Sequence, residues 1–415
     1  MPSAFPPAVL PRFGAALLFA TFFAAVFTAP AAAQDLVKVG DRQVQMAAMG
    51  SGRYTVIFEA GFGRDLSVWR RVAPALADAA KLVAYSRAGL GRSDPHPGAV
   101  GLAARTDELE QLVATAKLQP PFILVGHSYG AFLIRSYAAR HPEQVAGMVF
   151  VDPSHERFEQ ELRKLDAARV DSDNRAIEGF TPPALRAELR SVQAILERGA
   201  LDTPGRLPDV PVAVLTSVQL REQAQLFLET PAAVQVWRGL HGSLFREFSS
   251  GSHVVTPDSG HNIHLEQPEL VVAAVRQVIA TADARDARRR HAEARAQLFR
   301  RLEQDGADGA VANALAASGF DEAERNRIAY ELLGPRKQAQ LAVRVMKANA
   351  ERFGGSANAQ DSYGEALLAT GQPAAARAQF LKALALAAAQ GKEGKALAGY
   401  RSNLDKAERA LAAAP

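Results

Sequence analysis

The sequence contains no cysteine among its 415 residues, and it has no large excess of charge of either sign. The absence of cysteine excludes a thiol nucleophile, a thiolate metal site, a disulfide and an acylated N-terminal cysteine. With 48 basic and 44 acidic residues, the formal net charge is only +4. So small a charge on so long a chain does not indicate a nucleic acid or another polyanion as partner.

The sequence also lacks an apolar run long enough for a stable membrane span. Residues 1–33 carry one charged side chain, Arg12, which is followed by an apolar run over residues 13–28 and by small residues ending at Ala33. A spanning helix needs about 20 apolar residues, and this run is shorter and rich in alanine. A basic flank, a short apolar run and small residues at the end are typical of a signal peptide. We therefore expect cleavage after Ala33, a mature chain beginning near Gln34, and a periplasmic or secreted protein.

The remaining composition, 48% hydrophobic and 22% charged, is that of a folded protein. From about residue 36 to residue 280, short β-branched runs alternate with helical stretches. Continuous apolar runs are typical of strands buried on both faces, and helices between them imply crossover connections. An α/β domain with a mostly parallel sheet is thus predicted over residues 34–282. The predicted strands are residues 54–58, 81–85, 122–125, 147–151, 211–215 and 253–256.

From Ala284 onward the composition changes to alanine, leucine, arginine, glutamine and glutamate, which favours helices. We predict a linker over residues 283–295 and an all-helical domain over residues 296–415. Seven arginines lie between residues 285 and 301, together with two acidic residues. A solvated helix face is the favoured interpretation of this stretch, and a basic anchor for an anionic surface is the alternative.

A Gly-His-Ser-Tyr-Gly motif occupies residues 126–130, directly after a predicted strand and before a helical stretch over residues 131–140. In such a turn the serine adopts a strained backbone conformation and projects its hydroxyl above the sheet. The two glycines let the strand and the helix approach each other. Ser128 is therefore the predicted nucleophile.

With this motif in this order of elements, residues 36–280 resemble the α/β-hydrolase superfamily. The segment Glu59–Gly63 looks like the oxyanion loop of that superfamily, although Ala60-Gly61 replaces the usual His-Gly pair. The resemblance implies that the backbone N–H groups of Phe62 and Tyr129 form the oxyanion hole. Two such donors would bind the charge that develops on a carbonyl oxygen during acyl transfer.

A serine hydroxyl needs a base, and the near-neutral pKa of histidine suits that role. His261 follows the last predicted strand and precedes a helical stretch over residues 269–280, where the resemblance places the catalytic histidine. His127, beside the nucleophile, is interpreted as a packed or hydrogen-bonded support. His264 forms an HxxH pair with His261, but helical zinc proteases use HExxH, so no metal site is predicted.

The third member of the triad should be a carboxylate that fixes the tautomer of the imidazole. The usual position in the superfamily follows the strand at residues 211–215, where the sequence offers only the more distant Glu222. Asp152 follows the strand at residues 147–151, an acid position that some members use. We predict Asp152, with Glu222 as the alternative and a strand-capping role for Asp152 as a third interpretation. Both choices keep the chain order serine, acid, histidine.

Residues 154–207 contain no convincing strand, only helical stretches such as residues 158–168 and 183–198. The resemblance implies a helical cap at this place in the chain. Such a cap would cover the site and shape the substrate pocket.

The helical region repeats itself at an offset of 34 residues, which is the period of a tetratricopeptide repeat. The later copy, residues 363–383, resembles that repeat, and an unclassified helical bundle is the alternative. Such helical pairs bury a core only by stacking, and they offer a surface for a protein partner. The matching pairs are Leu333 with Leu367, Ala342 with Ala376, Met346 with Phe380, and Asn349 with Ala383.

These features together predict a serine hydrolase that cleaves a small-molecule carboxylic ester through an acyl-enzyme, with no metal or redox cofactor. A peptidase or amidase of the same fold is the alternative enzyme, because a triad and an oxyanion hole serve both bond types. A non-catalytic binding protein acting through its helical repeats is the alternative from another class. The presence of both Ser128 and His261 argues against it, because an idle site has no need of the pair.

Overall fold

The computed structural model describes residues 33–95, 101–203, 205–304 and 308–413. The predicted signal peptide lies outside these ranges except for Ala33, so its cleavage stays a prediction. The described residues form two compact units, which divide between Ala282 and Asp283. Within the described ranges, no helix combines the length and the apolar character that a bilayer span requires.

The first unit contains an eight-stranded sheet in the order β1-β2-β4-β3-β5-β6-β7-β8. Strands β3 to β8 run parallel to one another, whereas β1 pairs antiparallel with β2, and β2 pairs antiparallel with β4. The six predicted strands are therefore present as a parallel array, and the N-terminal hairpin was not predicted. The strands are β1 (Ala33–Val39), β2 (Arg42–Met49), β3 (Thr55–Glu59), β4 (Lys81–Tyr85), β5 (Phe122–His127), β6 (Val145–Val151), β7 (Val212–Ser217) and β8 (Gly251–Thr256).

Helices cover both faces of this sheet, which explains the continuous apolar runs of its central strands. In β3, Val56 and Phe58 belong to one hydrophobic cluster and Ile57 to another, and all three side chains are fully buried. Alternate residues of one strand thus point to opposite faces, and both faces are apolar. The helices of this unit are α1 (Leu102–Thr115), α2 (Gly130–Arg140), α3 (Phe158–Phe180), α4 (Arg186–Arg198), α5 (Pro231–Phe245), α6 (Ile263–Glu266) and the first part of α7 (Pro268–Gln304).

The insertion after β6 is helical, as predicted, because α3 and α4 occupy it and no strand lies in its described part. Helix α3 is interrupted at Asp166, whose backbone is extended rather than helical. Helix α4 ends at Gly199, which adopts the left-handed conformation common after helix C-termini. The cap packs on α5 through a small cluster that includes Leu162, Val170 and Ala233.

The second unit is entirely helical in its described part, in agreement with the prediction from its composition. Residues 283–295, which were expected to form a linker, instead lie within the continuous helix α7. Their alanines and arginines are good helix formers and no glycine or proline interrupts them, so the helix continues through this stretch. The remaining helices are α8 (Asp308–Ser318), α9 (Glu322–Leu333), α10 (Ala339–Arg352), α11 (Ala357–Ala369), α12 (Pro373–Ala389) and α13 (Lys395–Ala412).

Close helix packing explains the small residues in the 34-residue pattern. A Cβ atom on Gly364 of α11 would lie 2.5 Å from the ring of Phe380 on α12, so only glycine lets the two helices approach this closely. The equivalent residues Met346 and Phe380 are both fully buried, as are Ala342 and Ala376. The pattern therefore describes packing contacts between successive helices.

Candidate active site

The nucleophile turn joins β5 to α2 at the carboxyl end of the central strands. Ser128 has a φ of +50°, a left-handed conformation that is strained for a residue with a side chain. A Cβ on Gly126 would lie 2.8 Å from the carbonyl oxygen of Gly130, and one on Gly130 would lie 2.5 Å from that of Glu59. The two glycines are thus required by close backbone approach, and the turn holds the serine side chain clear of the sheet.

The structure brings the three predicted triad residues together. The Nε2 atom of His261 lies 2.8 Å from the Oγ atom of Ser128, and its Nδ1 atom lies 2.7 Å from Oδ2 of Asp152. Since an ionised carboxylate only accepts hydrogen bonds, the Nδ1–H group donates to Asp152. This tautomer leaves a lone pair on Nε2, which can accept the proton of the serine hydroxyl.

The carboxylate of Asp152 is buried and held by donors on its second oxygen. Oδ1 accepts hydrogen bonds from the backbone N–H of Ser217 at 2.8 Å and from the indole N–H of Trp237 at 2.9 Å. Asp152 has a φ of +42°, so this strand end is conformationally strained as well. Glu222, the alternative acid, is exposed on the segment after β7. The Nδ1 contact of His261 therefore goes to the carboxylate after β6.

Behind Asp152 lies a row of buried hydrogen bonds that sequence reasoning missed. The Nε2–H group of His241 donates to the carbonyl of Pro153 at 2.7 Å, so its Nδ1 accepts the hydroxyl proton of Thr216 at 2.8 Å. The ring of His241 also stacks on Trp237, at 4.5 Å between centroids. Burial lowers the pKa of His241 to about 4, which keeps the ring neutral. Trp237 and His241 are four residues apart on α5 and so share a face, but no motif marks them.

The two predicted oxyanion donors lie on either side of the nucleophile turn. Tyr129 follows Ser128 and is the N-cap residue of α2, where backbone N–H groups are not used within the helix. Phe62 lies in the turn after β3, next to Gly61, on which a Cβ atom would lie 3.4 Å from Cβ of Ser128. In the described residues, neither the N–H of Phe62 nor that of Tyr129 has a backbone acceptor. Both donors are thus available to an oxygen atom beside Ser128.

Two further histidines pack behind His261. His127 donates from Nε2 to the backbone carbonyl of His261 at 2.9 Å, which is the supporting arrangement expected for it. Burial, followed by the nearby His261 and His264, lowers the pKa of His127 well below its usual 6.5. His264 is enclosed between His127 and Trp69, and burial lowers its pKa to about 3. No group of three or more potential metal ligands occurs in the described residues.

A cavity of about 520 Å³ opens in front of Ser128 and His261. Ser154 stands at its base, with Oγ 3.4 Å from Oγ of Ser128. Arg221 and Glu229, which also line it, form an ion pair at 3.1 Å and so neutralise each other. The apolar part of its wall comes from the cap, from the short turn before α5 and from α5 itself, through Phe158, Leu196, Leu228, Val234 and Trp237.

Comparison with known proteins agrees with this architecture. Residues 54–197 match the model of a family described as alpha/beta hydrolase fold. The uncharacterized protein YqjL of Bacillus subtilis (strain 168) is 28% identical over 240 residues, which cover 56% of this chain and 86% of that protein. An AB hydrolase superfamily protein of Gibberella zeae is 27% identical over 280 residues, covering 54% of this chain and 85% of that protein.

Among solved structures, a carboxylesterase from Bacillus subtilis aligns with a TM-score of 0.41 and 18% identity, covering 60% of this chain and 92% of its own. The family model matches residues of the same unit that contains the eight-stranded sheet and its helices. The unit that carries Ser128, Asp152 and His261 has the α/β-hydrolase fold.

Proposed function

We propose that the protein is a serine hydrolase that cleaves carboxylic esters through an acyl-enzyme. The observation that carries this proposal is the continuous hydrogen-bonded row from Ser128 through His261 to Asp152, with separations of 2.8 and 2.7 Å. A nucleophile, a base and a residue that orients the base are the minimum set for acyl transfer by a serine. The match of residues 54–197 to a family described as alpha/beta hydrolase fold supports hydrolysis as the reaction class that this set serves.

The reaction divides into two similar halves. His261 takes the proton of Ser128 at Nε2 while Oγ attacks the ester carbonyl, and the resulting oxyanion accepts hydrogen bonds from the N–H groups of Phe62 and Tyr129. The imidazolium then gives its proton to the departing alkoxide, which leaves as an alcohol. Water attacks the acyl-enzyme with His261 again as base, and the acid product leaves. Asp152 stays ionised throughout and stabilises the imidazolium.

The cavity favours a neutral ester with an apolar group of moderate size. Its apolar wall includes Trp237 and Phe158, the charged side chains Arg221 and Glu229 are paired with each other, and Glu266 at its edge accepts a hydrogen bond from the backbone N–H of Gly260. An anionic substrate group would meet Glu266 and would have to take Arg221 from its partner, whereas an alkyl or aryl group would be buried against the wall. The proposed chemistry uses side-chain and backbone groups of this chain alone and requires no cofactor.

Hydrolysis of matched chromogenic substrates tests the proposal. We expect p-nitrophenyl acetate and butyrate to be cleaved with a burst of nitrophenol, and the Ser128→Ala protein to be inactive. Faster cleavage of the corresponding p-nitroanilide would favour the amidase or peptidase alternative. A folded native protein that cleaves neither substrate class would favour the binding-protein alternative.

For the helical unit we propose stacked tetratricopeptide repeats that contact a protein partner. The close approach of Gly364 to Phe380 and the buried Ala376 support this assignment, because the 34-residue pattern places them at repeat positions. Co-purification with the isolated helical unit as bait, compared with a variant carrying Phe380→Ala, would test for a partner that requires the folded stack.

We also propose that the protein is exported and acts in the periplasm or outside the cell. The proposal rests on the charged residue, apolar run and small residues of positions 1–33. Mass spectrometry of the native protein should find a chain beginning near Gln34 in an extracytoplasmic fraction. An intact Met1 terminus in the cytosol would contradict it.

A further inference from the structure

The guanidinium of Arg87 is buried in the turn after β4, with 1% of the side chain exposed. It reaches the loop that carries the first oxyanion donor. Nη1 donates to the carbonyl oxygen of Ala60 at 2.7 Å, and Nη2 donates to that of Gly61, also at 2.7 Å. A planar fork with fixed donor directions thus holds two successive carbonyls of one loop.

The second of these contacts is the shorter of two hydrogen bonds to the Gly61 carbonyl, the other coming from the backbone N–H of Arg64 at 3.2 Å, and it helps to set the direction of the Phe62 N–H group. The carbonyl of Gly61 and the N–H of Phe62 belong to the same planar trans peptide, in which the two bonds point in opposite directions. Because Arg87 binds the oxygen, the N–H is turned to the side of the peptide that faces away from the guanidinium. The positive charge of Arg87 beside the Gly61 carbonyl oxygen also makes the Phe62 N–H a stronger donor, because hydrogen bonds in a chain polarise one another.

The same guanidinium contacts the residue that supplies the second donor. The Cζ atom of Arg87 lies 5.2 Å from the ring centre of Tyr129, a cation–π contact with a ring that is itself buried. One side chain therefore touches both residues whose N–H groups form the proposed oxyanion hole.

Arg87 also connects this hole to the cap. Its Nη2 atom donates to Oε1 of Glu188 on the cap helix α4 at 2.8 Å, and this carboxylate is almost fully buried. A second contact joins the same two parts, since a Cβ on Gly63 would lie 2.8 Å from the side chain of Leu185, the residue at which α4 is capped. The base of the cap helix thus rests on the oxyanion loop.

Because both side chains are buried, the Arg87–Glu188 pair forms only when the cap helix α4 lies in this position. Glu188 is the closer partner of Arg87, at 2.8 Å against 3.3 Å for Glu59, and burial raises the pKa of Glu59 to about 7, so Glu59 is only partly ionised at neutral pH. If α4 moved away, the guanidinium would remain in a low-dielectric site with its principal counter-charge removed, which is strongly unfavourable.

We infer that Arg87 is a positioning residue that orients the Phe62 N–H for oxyanion binding, and that its contact with Glu188 makes the oxyanion hole complete only when the cap helix is in place. This inference rests on the proposed ester hydrolysis for its kinetic consequences. The structural part of the inference, that Arg87 and Glu188 orient the peptide between Gly61 and Phe62, does not depend on any substrate.

The kinetic test uses Arg87→Gln, Arg87→Lys and Glu188→Gln, with p-nitrophenyl acetate as substrate. Loss of one oxyanion donor lowers kcat by about 10² to 10³-fold in a serine hydrolase, and we expect Arg87→Gln to reach this range with KM little changed. Arg87→Lys should recover part of kcat, because lysine keeps the charge but cannot bridge both carbonyls. Glu188→Gln, which keeps the shape of the contact without its charge, should give the smallest loss.

Arg135→Gln is the matched control. Arg135 is a buried arginine on α2 that forms a two-bond ion pair with Glu156, at 2.7 and 3.0 Å, and it touches neither oxyanion donor. It should lose comparable thermal stability while its kcat stays near that of the native protein. Because Arg87→Gln leaves buried carboxylates unpaired, the double variant Arg87→Met, Glu188→Met is measured as well. We expect it to fold and to keep the loss in kcat.

A structural readout separates this inference from the proposed function. The ¹⁵N–¹H resonance of Phe62 should shift in Arg87→Lys and in Glu188→Gln but not in Arg135→Gln, whether or not the protein hydrolyses esters. Inactivity of the native protein together with these shifts would refute the proposed function alone. An unshifted Phe62 resonance, or a folded double variant with native kcat, would overturn the inference.

Discussion

The hydrolase unit and the helical unit both bury polar side chains, but they use them differently. In the hydrolase unit, Asp152, Arg87 and His241 converge on the residues around Ser128. In the helical unit, Asn349 of α10 bonds to Asn326 of α9, and Asn326 bonds to Ser362 of α11. The first set supports one chemical site, whereas the second links neighbouring helices in sequence order.

Backbone strain occurs at places of two kinds. Among the described non-glycine residues, the hydrolase unit has positive φ angles at Ser128 and Asp152, directly at the ends of β5 and β6, and at Lys117 in the turn after α1. In the helical unit, Lys337 has a positive φ, in the turn between α9 and α10. Strain at reactive residues indicates function, and strain in a turn indicates only a change of chain direction. The contrast shows that a functional site is inferred only where buried polar side chains and a strained backbone occur at the same residues.

The largest expected effect comes from the reacting groups. Ser128→Ala and His261→Ala should each lower kcat for p-nitrophenyl acetate by about 10⁴ to 10⁶-fold, and the double variant should be little worse, because triad members act as a unit. Steady-state kinetics on folded proteins measure this. If the losses in kcat of the two single variants added up in the double variant, or if His261→Ala kept near-native turnover, Ser128 and His261 would not act as one unit. The hydrolase unit would then no longer differ from the helical unit by a catalytic site.

The next effect distinguishes the two candidate acids. Asp152→Asn should preserve the fold but favour the wrong tautomer of His261, lowering kcat by up to about 10⁴-fold, as in another serine triad. Glu222→Gln, an equally conservative change at an exposed position, is the control and should have little effect. The reverse ranking in kcat would place the acid after β7, and small effects from both would refute the triad while leaving the nucleophile intact.

The hydrolase unit should lose stability when the pH falls from about 6.5 to about 4.5. Burial lowers the pKa of His264 to about 3 and those of His241 and His155 to about 4, so the unfolded chain binds protons at these three sites before the folded protein does. Glu59 and Glu247 oppose this, because burial raises the pKa of both carboxyl groups, that of Glu59 to about 7, so the folded state binds these protons before the unfolded chain does.

Each such proton changes the free energy of unfolding by about 1.4 kcal/mol per pH unit within its window. Replacing His264 by phenylalanine should remove about one proton from this dependence, since the ring packs on Trp69 and its nitrogens have no described partner. Denaturant titrations between pH 5 and 7 check this. An unchanged slope in His264→Phe would show that His264 does not titrate as the structure indicates.

In the helical unit, Asn349→Ala should lower stability without affecting hydrolysis. The amide of Asn349 is buried and donates to Asn326, so its removal leaves a buried oxygen without its donor, at about 1–3 kcal/mol. Lys347→Ala on the same helix removes an exposed ion pair with Asp308 and serves as control. Urea denaturation monitors the unit. A fall in kcat in Asn349→Ala, with folded protein, would contradict the separation of roles.

The smallest expected effect is that of removing the helical unit. A chain ending at residue 295 keeps the apolar residues of α7 that pack in the hydrolase core, including Val271, Val275 and Val278. Its kcat for a small activated ester should stay close to that of the full chain. A soluble, folded truncation without activity would mean that the helical unit completes the site.

Much of the hydrolase unit could be predicted from sequence because its signals are local. Each central strand is a continuous apolar run, and the Ser128 motif combines glycine spacing with a strand before it and a helix after it. The β1–β2 hairpin was missed because its strands mix Gln, Arg, Asp and Lys with apolar residues, and most residues of β2 are only partly buried, on both of its sides. Its pairing with the sheet depends on long-range contacts.

The supporting residues of the site were not predictable for the same reason. Trp237 and His241 lie on α5 and Thr216 lies on β7, and the hydrogen bonds from Trp237 to Asp152 and between Thr216 and His241 exist only after the sheet and α5 have packed. Arg87 is one arginine among many in the sequence. Its burial and its two carbonyl contacts give it a role that no spacing indicates.

The central claim is that Ser128 is an activated nucleophile. Reaction of the native full-length protein with a fluorophosphonate, followed by peptide mapping, tests this most directly because it needs no knowledge of the substrate. The account predicts one label per chain, on the peptide containing Ser128, absent in Ser128→Ala and greatly slowed in His261→Ala. A folded protein that remains unlabelled, or a label that persists in Ser128→Ala, would contradict it.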